Sequence, residues 1–366
     1  MRAAIPVSIF VLVLALAIVP RSVSAQSPVP ADPAWAALKA GDADKALRLF
    51  RRSLQATPSD PLLLLGWGIA AHLLGDDPHA EVALRKALKI EPRLMPASAL
   101  LGRIVYDSGN LDDAIAIYEK ALKGVPGEPE MRELLERWRK EAKLHAGFEQ
   151  GGNGRFAIMF EGPEERALAD HISRVLERAY WDIGRRLNAY PNRTIAVMLY
   201  TQQQFTDITR SPDWAAGSYD GRIRLAVRGA LNDRAAFDRV VVHELAHAVL
   251  HTLAPRGIPA WLHEGLAVNF EPGEKPWVNE TLRQSAATIP LDALRAGFDG
   301  LAAEEVQLAY AESAAAAGVI MKRLGPNLPA FLQSLESVDS VDMGLVSFGF
   351  TTADVERSLL AQARGR

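Results

Sequence analysis

The stretch VVVHELAHAVLHTLAPRGIPAWLHEGLAVNF, residues 240–270, carries the most informative pattern of the chain. His243 and His247 are four residues apart, so on a helix they lie on one face with their Cβ atoms roughly 5–6 Å apart. Two imidazoles placed in this way can bind one metal ion at about 2.0–2.1 Å each. Glu244 lies about 100° further around the helix and flanks that face without blocking it. The HExxH spacing is typical of two zinc ligands and a general base.

A catalytic zinc site has three protein ligands and one open position, so a third ligand is expected nearby. Glu264 is the best candidate, because a turn with two prolines (254–259) lets a second helix fold back against the first. The rival ligand is His263, and since the two are adjacent on a helix, only one of them is expected to face the ion. His251 lies too far along the first helix to share an ion with His243.

Mixed elements precede this stretch. Strands are predicted for RFAIMFEG (155–162), RTIAVMLYT (193–201) and GRIRLAV (221–227), and a helix for 164–188. The helix with the histidines has a natural N-cap at Asn232 or Asp233. In GRIRLAV the alternation of Arg222 and Arg224 with apolar residues predicts a half-buried strand with a basic exposed face. The order predicts an α+β layer followed by an almost wholly helical part.

A repeat with a spacing of 34 residues occupies the N-terminal part, between residues 30 and 127. The repeated positions are Gly41, Gly75 and Gly109; Ala46, Ala80 and Ala114; Phe50, Leu84 and Tyr118; Ser53, Ala87 and Ala121; and Pro58, Pro92 and Pro126. In each unit the glycine ends a first helix, the alanine lets a second helix pack closely, and the proline ends that helix. The amphipathic segment 128–145 is predicted to be a closing helix. This pattern predicts an all-α solenoid.

The glycine-rich, polar segment AGFEQGGNG (146–154) is predicted to be a linker. It would separate a repeat domain at 30–146 from a second domain at 155–363.

The repeated positions resemble the tetratricopeptide repeat. The second repeat also has Trp67 and Gly68, and the third has Leu101 and Gly102, where that family makes contacts within its first helix. The first repeat departs there, so its first helix is expected to be short. Stacked repeats have a concave surface, which serves either as a spacer or as a groove for a substrate or a protein partner. Both interpretations stay open.

HExxH followed by a W-L-x-E-G-x-A element is similar to the gluzincin metallopeptidases, within the peptidase MA-like domains, tightly over 240–270 and loosely over 156–363. The resemblance implies a zincin-like domain with one zinc ion. It implies His243, His247 and Glu264 as ligands and Glu244 as general base. The segment AYAESAAAAGVIMKRLG (309–325) resembles a later family helix, which implies Tyr310 as a second donor to the oxyanion.

The chain departs from the family pattern at two places. Many relatives have an acidic residue four or five positions after the ligand glutamate that holds a ligand histidine, but here these positions are Val268 and Asn269. The residue that holds the histidine is therefore not identified by the resemblance. The G-x-M-E-N element of aminopeptidases is absent as well, which favours endopeptidase activity.

The N-terminus has the features of an export signal. Arg2 precedes an apolar run from Ala3 to Pro20, and SVSA predicts cleavage after Ala25. The expected location is therefore periplasmic or secreted; if the segment is not cleaved, it would anchor the chain in a membrane. The chain has no cysteine, so neither disulfides nor thiolate ligands contribute.

Composition limits the classes of function. The chain is 49% hydrophobic with a formal net charge of -3, which gives no general attraction to nucleic acid. The main hypothesis is an exported zinc endopeptidase that acts on a peptide or protein, with repeats that dock substrates or partners. The alternatives are an envelope scaffold with an inactive or structural zinc domain, and a zinc hydrolase acting on a non-peptide amide.

Overall fold

The structure, a computed structural model, describes residues 33–363 except 126–127, 212–214, 228–232, 256, 286–287, 299 and 339. Within the described residues, one compact unit ends at Ala146 and a second begins at Gly147. The expected export signal, 1–25, lies outside the described residues. No helix in the described part is both long and apolar enough to span a bilayer.

The first unit is a stack of helices. They are α1 (Pro33–Lys39), α2 (Ala43–Ala56), α3 (Pro61–Leu73), α4 (Asp77–Ile90), α5 (Met95–Asp107), α6 (Leu111–Leu122) and α7 (Pro129–His145). Gly41, Gly75 and Gly109 all have positive φ angles and lie two residues beyond the end of the first helix of each repeat, as the spacing predicts. The next residue in every case, Asp42, Asp76 or Asn110, accepts a hydrogen bond from the backbone of the second helix. The all-α solenoid is confirmed.

Close packing between the helices of a repeat depends on small residues. A Cβ added at Gly102 would overlap the ring of Tyr118, and one added at Gly68 would lie 2.8 Å from Cγ of Leu84. The glycines are 34 residues apart, and so are their partners, so the same contact recurs in consecutive repeats. Trp138 of α7 covers the last repeat with its ring 4.5 Å from that of Tyr118, and is 2% exposed.

The second unit is built on a five-stranded sheet in the order β1-β2-β3-β5-β4. Its strands are β1 (Glu149–Gly152), β2 (Phe156–Phe160), β3 (Ile195–Tyr200), β4 (Gly217–Tyr219) and β5 (Ile223–Ala226). The three central strands are parallel, and each outer strand is antiparallel to its neighbour.

The chain divides at the start of the predicted linker, 146–154, but the prediction is wrong for residues 149–152, which form β1 and pair with β2. The glycines are needed for the geometry of the sheet rather than for flexibility. A Cβ at Gly152, where φ is +96°, would overlap the carbonyl of Phe156, and Gly151 leaves room for the ring of Phe160. Composition alone does not distinguish this use of glycine from a flexible linker.

The prediction of a basic exposed face on the third strand is also wrong. β5 lies between β3 and β4, and Arg224 and Arg222 are only 1% and 5% exposed. Arg224 has partners in β3 and in the turn before β5: its Nη1 donates to the hydroxyl of Tyr200 at 2.9 Å, and its Nε to Asp220 at 3.1 Å. Burial of a guanidinium is tolerated where such partners are present.

Helices make up the rest of the second unit. They are α8 (Arg166–Leu187), α9 (Gln202–Thr209), α10 (Arg234–Leu253), α11 (Ala260–Phe270), α12 (Pro276–Gln284), α13 (Ala303–Leu324), α14 (Leu328–Ser334), α15 (Val341–Val346) and α16 (Thr352–Ala363). Asp233 is the N-cap of α10, in agreement with one of the two predicted positions. The mixed sheet followed by helices confirms the α+β zincin-like fold class.

Helix α11 is held in the core on two sides. Trp261 and Leu262 are 2% and 0% exposed. A Cβ added at Gly265 would overlap the backbone of Ser313 in α13. Glycine at this position therefore lets α11 and α13 approach closely.

Candidate metal centre

The HExxH segment lies in the middle of α10, where the helix is buried on all sides. His243, Glu244 and His247 are 3%, 5% and 6% exposed. Polar residues are rarely buried at this depth unless they have partners or bind an ion. Burial of three titratable residues in two helical turns therefore indicates a functional site rather than an amphipathic surface.

Helix α11 brings the third group to the histidines. The carboxylate of Glu264 lies 3.3 Å from Nε2 of His243 and 3.6 Å from Nε2 of His247. One ligand atom from each of the three residues lies within 4.8 Å of the others. Two ligands bound tetrahedrally at about 2.0–2.1 Å from zinc would be roughly 3.3–3.4 Å apart. The distances between the imidazoles and the carboxylate thus match those around a zinc ion.

A further observation concerns Oε2 of Glu264. This atom is buried and, among the described residues, has no hydrogen-bond donor in acceptable geometry, although His243 is close. Leaving a charged acceptor unsatisfied is costly, and a cation between the three residues would remove that cost. The two imidazoles and the carboxylate fit the nitrogen and oxygen ligands that zinc prefers.

Glu271 is the functional residue that the sequence analysis missed. Its Oε1 lies 2.8 Å from Nδ1 of His243, and both side chains are buried. A carboxylate on Nδ1 keeps the proton on that nitrogen and leaves Nε2 for the metal. The available signal was the separation of seven residues between Glu264 and Glu271, which is close to two helical turns. Glu271 directly follows the last residue of α11, beyond the positions at which an acidic residue was sought.

His263 is not one of the three grouped residues; it contacts His247 at Nδ1, the ring nitrogen other than the Nε2 that faces Glu264. Its Nδ1 lies 2.7 Å from Nδ1 of His247, and the rings stack with 4.7 Å between their centroids. When Nε2 of neutral His247 faces the metal, its Nδ1 donates to Nδ1 of His263. Burial lowers the pKa of His263 to about 4, so it is neutral and can accept. Of the two adjacent candidates on α11, the structure therefore directs Glu264 to the cluster.

The carboxylates dominate the electrostatics of the site. Burial alone would lower the pKa of His243, but Glu264 and Glu271 outweigh that effect and raise the pKa to about 10. Burial raises the pKa of Glu244 to about 8; the charge of His243 opposes this shift, and the two other carboxylates add to it. Excess negative charge in a buried cluster favours binding of a cation.

Strand β4 adjoins Glu244 at the outer edge of the sheet. A Cβ added at Gly217 would lie 2.6 Å from Oε1 of Glu244 and 2.7 Å from Cγ1 of Val240. Only glycine therefore leaves Glu244 in its observed position. Within the described residues β4 is the outer strand of the sheet and pairs with β5 alone.

The remaining candidates lie as follows. Tyr310 is 4% exposed, and its ring packs edge-on against Phe298 at 4.9 Å. The ring of His251 lies 6.2 Å from that of Tyr219. His251 does not belong to the group of side chains in the described part of the chain that could hold a metal ion.

Comparisons with protein families agree with both units. The profile of the Peptidase MA superfamily matches residues 179–363, just over half of the chain, and includes every residue of the cluster. Two tetratricopeptide repeat profiles match residues 33–94 and 76–137. No curated protein matches the sequence.

Proposed function

This chain belongs to the Peptidase MA superfamily, and on that premise we propose that it is an exported zinc-dependent endopeptidase. The observation that carries the proposal is the cluster itself. His243, His247 and Glu264 present three ligand atoms at zinc-like separations, and Glu244 is buried beside them. A purely structural ion would need no such carboxylate next to its ligands.

In this proposal the bound zinc, Glu244 and Tyr310 have different roles in hydrolysis. Zinc, when bound, supplies a Lewis acid that polarises the scissile carbonyl and activates water. Glu244 accepts the proton of the attacking water on a carboxylate oxygen and passes it to the nitrogen of the leaving amine. We assign to Tyr310 the donation of a hydrogen bond to the oxyanion.

Strand β4 supports cleavage within a chain rather than at its end. An extended peptide can hydrogen-bond to the outer edge of a sheet through its backbone, whatever its sequence. Because Gly217 of β4 is next to Glu244, a peptide bound along this strand would pass the general base. Backbone pairing on both sides of the cleaved bond requires chain in both directions.

The test compares Glu244→Gln with the parent chain. We expect the variant to bind one zinc ion per chain and to lose hydrolysis of casein and of a quenched peptide blocked at both ends. Glu274→Gln, an exposed change of the same chemistry on α11's C-terminal side, serves as the control and should be fully active. If Glu244→Gln cleaves the blocked peptide as fast as the parent, Glu244 is not the base.

Export is the second part of the proposal. It is based on the apolar segment and the small residues before Gln26. Sequencing the N-terminus of the protein recovered from cells should give Gln26, whereas a retained Met1 or Arg2 would favour a membrane anchor.

A further inference from the structure

A stripe of exposed side chains runs along the outer face of α8. Arg174, Arg178, Trp181 and Arg185 follow one another at intervals of four, three and four residues, so they share one helix face. All four are exposed, whereas Leu176 and the other buried residues of α8 lie on the opposite side of the helix. At about 1.5 Å per residue the α8 stripe is roughly 16 Å long. It therefore presents three arginines and a tryptophan away from the core of the second unit.

A second exposed aromatic ring is held beside Trp181, which is itself 44% exposed. The side chain of Tyr190 is 38% exposed, and its ring lies 5.7 Å from that of Trp181. A Cβ added at Gly184 would overlap the ring of Tyr190, so glycine at this position lets that ring lie against α8. The hydroxyl of Tyr180 donates to the carbonyl of Pro191 at 3.1 Å and ties the chain after α8 to the helix. These contacts fix the positions of both exposed rings.

Arginines outnumber acidic residues around these rings. Residues 174–194 contain five arginines and two acidic residues, so the segment has a net charge of +3 in a chain of formal net charge -3. Asp182 forms an ion pair with Arg185, and the carboxylate of Glu177 lies 3.5 Å from Nε of Arg155. The guanidinium of Arg155 lies 5.0 Å from the ring of Trp181. Within the described part of the chain, three exposed arginines of this surface form no ion pair: Arg174, Arg178 and Arg193.

We propose that the α8 stripe and the adjacent Tyr190 dock the second unit on the surface of an anionic lipid bilayer. Tryptophan and tyrosine favour the interface between water and lipid, because each combines an apolar ring with a polar group. Arginines close to an anionic bilayer are attracted to its headgroups, and each contributes roughly fivefold to binding. Two exposed rings together with several cationic side chains are sufficient for reversible binding to such a surface.

The same surface is poorly suited to a stable interface with another protein. The core of a protein interface is depleted of charged residues, whereas here the exposed neighbours of the two rings along α8 are charged. The proposal requires neither zinc nor hydrolysis. Since α8 packs directly against α10, docking through the α8 stripe would also keep the metal centre close to the bilayer.

The test measures binding of the chain from Gln26 to unilamellar vesicles by sedimentation. This chain keeps every described residue and lacks the apolar segment 3–20, which would itself insert into lipid. Vesicles of phosphatidylcholine alone are compared with vesicles of phosphatidylcholine and phosphatidylglycerol in equal amounts. We expect binding to the anionic vesicles to be at least about tenfold tighter, and the difference should shrink as the salt concentration is raised. Equal binding to both kinds of vesicle, or binding to neither, would overturn the proposal.

Paired arginine variants locate the charge that is responsible. Arg174→Gln combined with Arg178→Gln should weaken binding to the anionic vesicles by about tenfold or more. Arg48→Gln combined with Arg52→Gln is the matched control, because these arginines are also exposed and have the same spacing on α2, and it should bind like the parent. Circular dichroism establishes that each variant is folded. An equal loss from both pairs would mean that overall charge, and not the α8 stripe, causes the binding.

Variants of Trp181 distinguish a bilayer from any other polyanion, including an acidic protein. Trp181→Ser should weaken binding to the anionic vesicles at least about fivefold through loss of the ring, whereas Val346→Ser, at a residue that is 57% exposed on α15, should not. Lipids with brominated acyl chains quench tryptophans that touch them, so Trp181→Phe should still bind but lose most of the quenching seen in the parent. Trp181→Phe keeps an aromatic ring, so this measurement does not depend on how Trp181→Ser folds. Quenching that persists in Trp181→Phe, or arginine variants that weaken binding while a folded Trp181→Ser does not, would refute docking on a bilayer.

Discussion

Removal of Glu271 should weaken zinc binding without removing a ligand. Its carboxylate lies 2.8 Å from Nδ1 of His243. A hydrogen bond to a charged group contributes about 1.5–3 kcal/mol, which corresponds to roughly 10- to 100-fold in affinity. Glu271→Ala should therefore lower the affinity for zinc by roughly 10- to 100-fold. Glu271→Gln keeps an acceptor but loses the charge, so we expect the affinity for zinc to fall by about five- to tenfold. Glu264→Ala should lose more than about 100-fold, and far more than His263→Ala, because it removes a ligand.

Competition with a chromogenic chelator measures these affinities, and circular dichroism checks that each variant is folded. Glu274→Gln is the matched control, since it removes an exposed carboxylate three residues away and should bind zinc like the parent. If Glu271→Ala binds zinc as tightly as the parent, Glu271 does not position His243. A larger loss from His263→Ala than from Glu264→Ala would mean that the third ligand is misassigned.

Three further predictions follow from contacts and charges described above. Gly217→Ala should leave zinc content unchanged and lower kcat by up to about 100-fold, because its Cβ displaces Glu244; unchanged kcat would contradict the contact. In the metal-free chain His243 keeps its proton below a pKa of about 10, and zinc requires the neutral imidazole. Binding of zinc should therefore release at least about one proton near pH 7, and the affinity for zinc should increase as the pH rises. Calorimetry in buffers of different ionisation enthalpy measures the number of protons released. A binding enthalpy that is the same in all buffers would contradict this prediction. Gly102→Ala should lower the free energy of unfolding by about 1–3 kcal/mol through overlap with Tyr118, and a denaturant titration of equal midpoint would be the contrary result.

The sequence was sufficient to predict features that recur at a fixed interval or that depend on the spacing of residues within one helix. His243 and His247 share one helix, so their common face follows from the helical period alone. The repeats were detectable because the same contact between the two helices of a repeat, Gly102 with Tyr118 in the third repeat, recurs at a fixed interval. Glu264 required a second helix to fold back, for which the turn at 254–259 gave only indirect evidence.

What could not be predicted depended on distant partners. Arg222 and Arg224 alternate with apolar residues as in a strand with one face in solvent, and the pattern gives no sign of a distant partner such as Tyr200, whose hydroxyl accepts from Arg224 in the buried structure. Glu271 lies just past the end of α11, and its contact with His243 depends on how two helices cross. The glycines of β1 have the composition of a linker, although their lack of side chains is what the sheet requires.

The 34-residue period of the helical unit sets the step by which its length can change. The two helices of a repeat pack through a contact that recurs at Gly68 and at Gly102, so gain or loss of one whole repeat would keep that contact within every repeat that remains. A change of any other length would bring a glycine opposite the wrong partner. Because the candidate metal ligands all lie in the other unit, such duplication or deletion would change the length of the repeat unit over evolutionary time and leave the candidate metal centre the same.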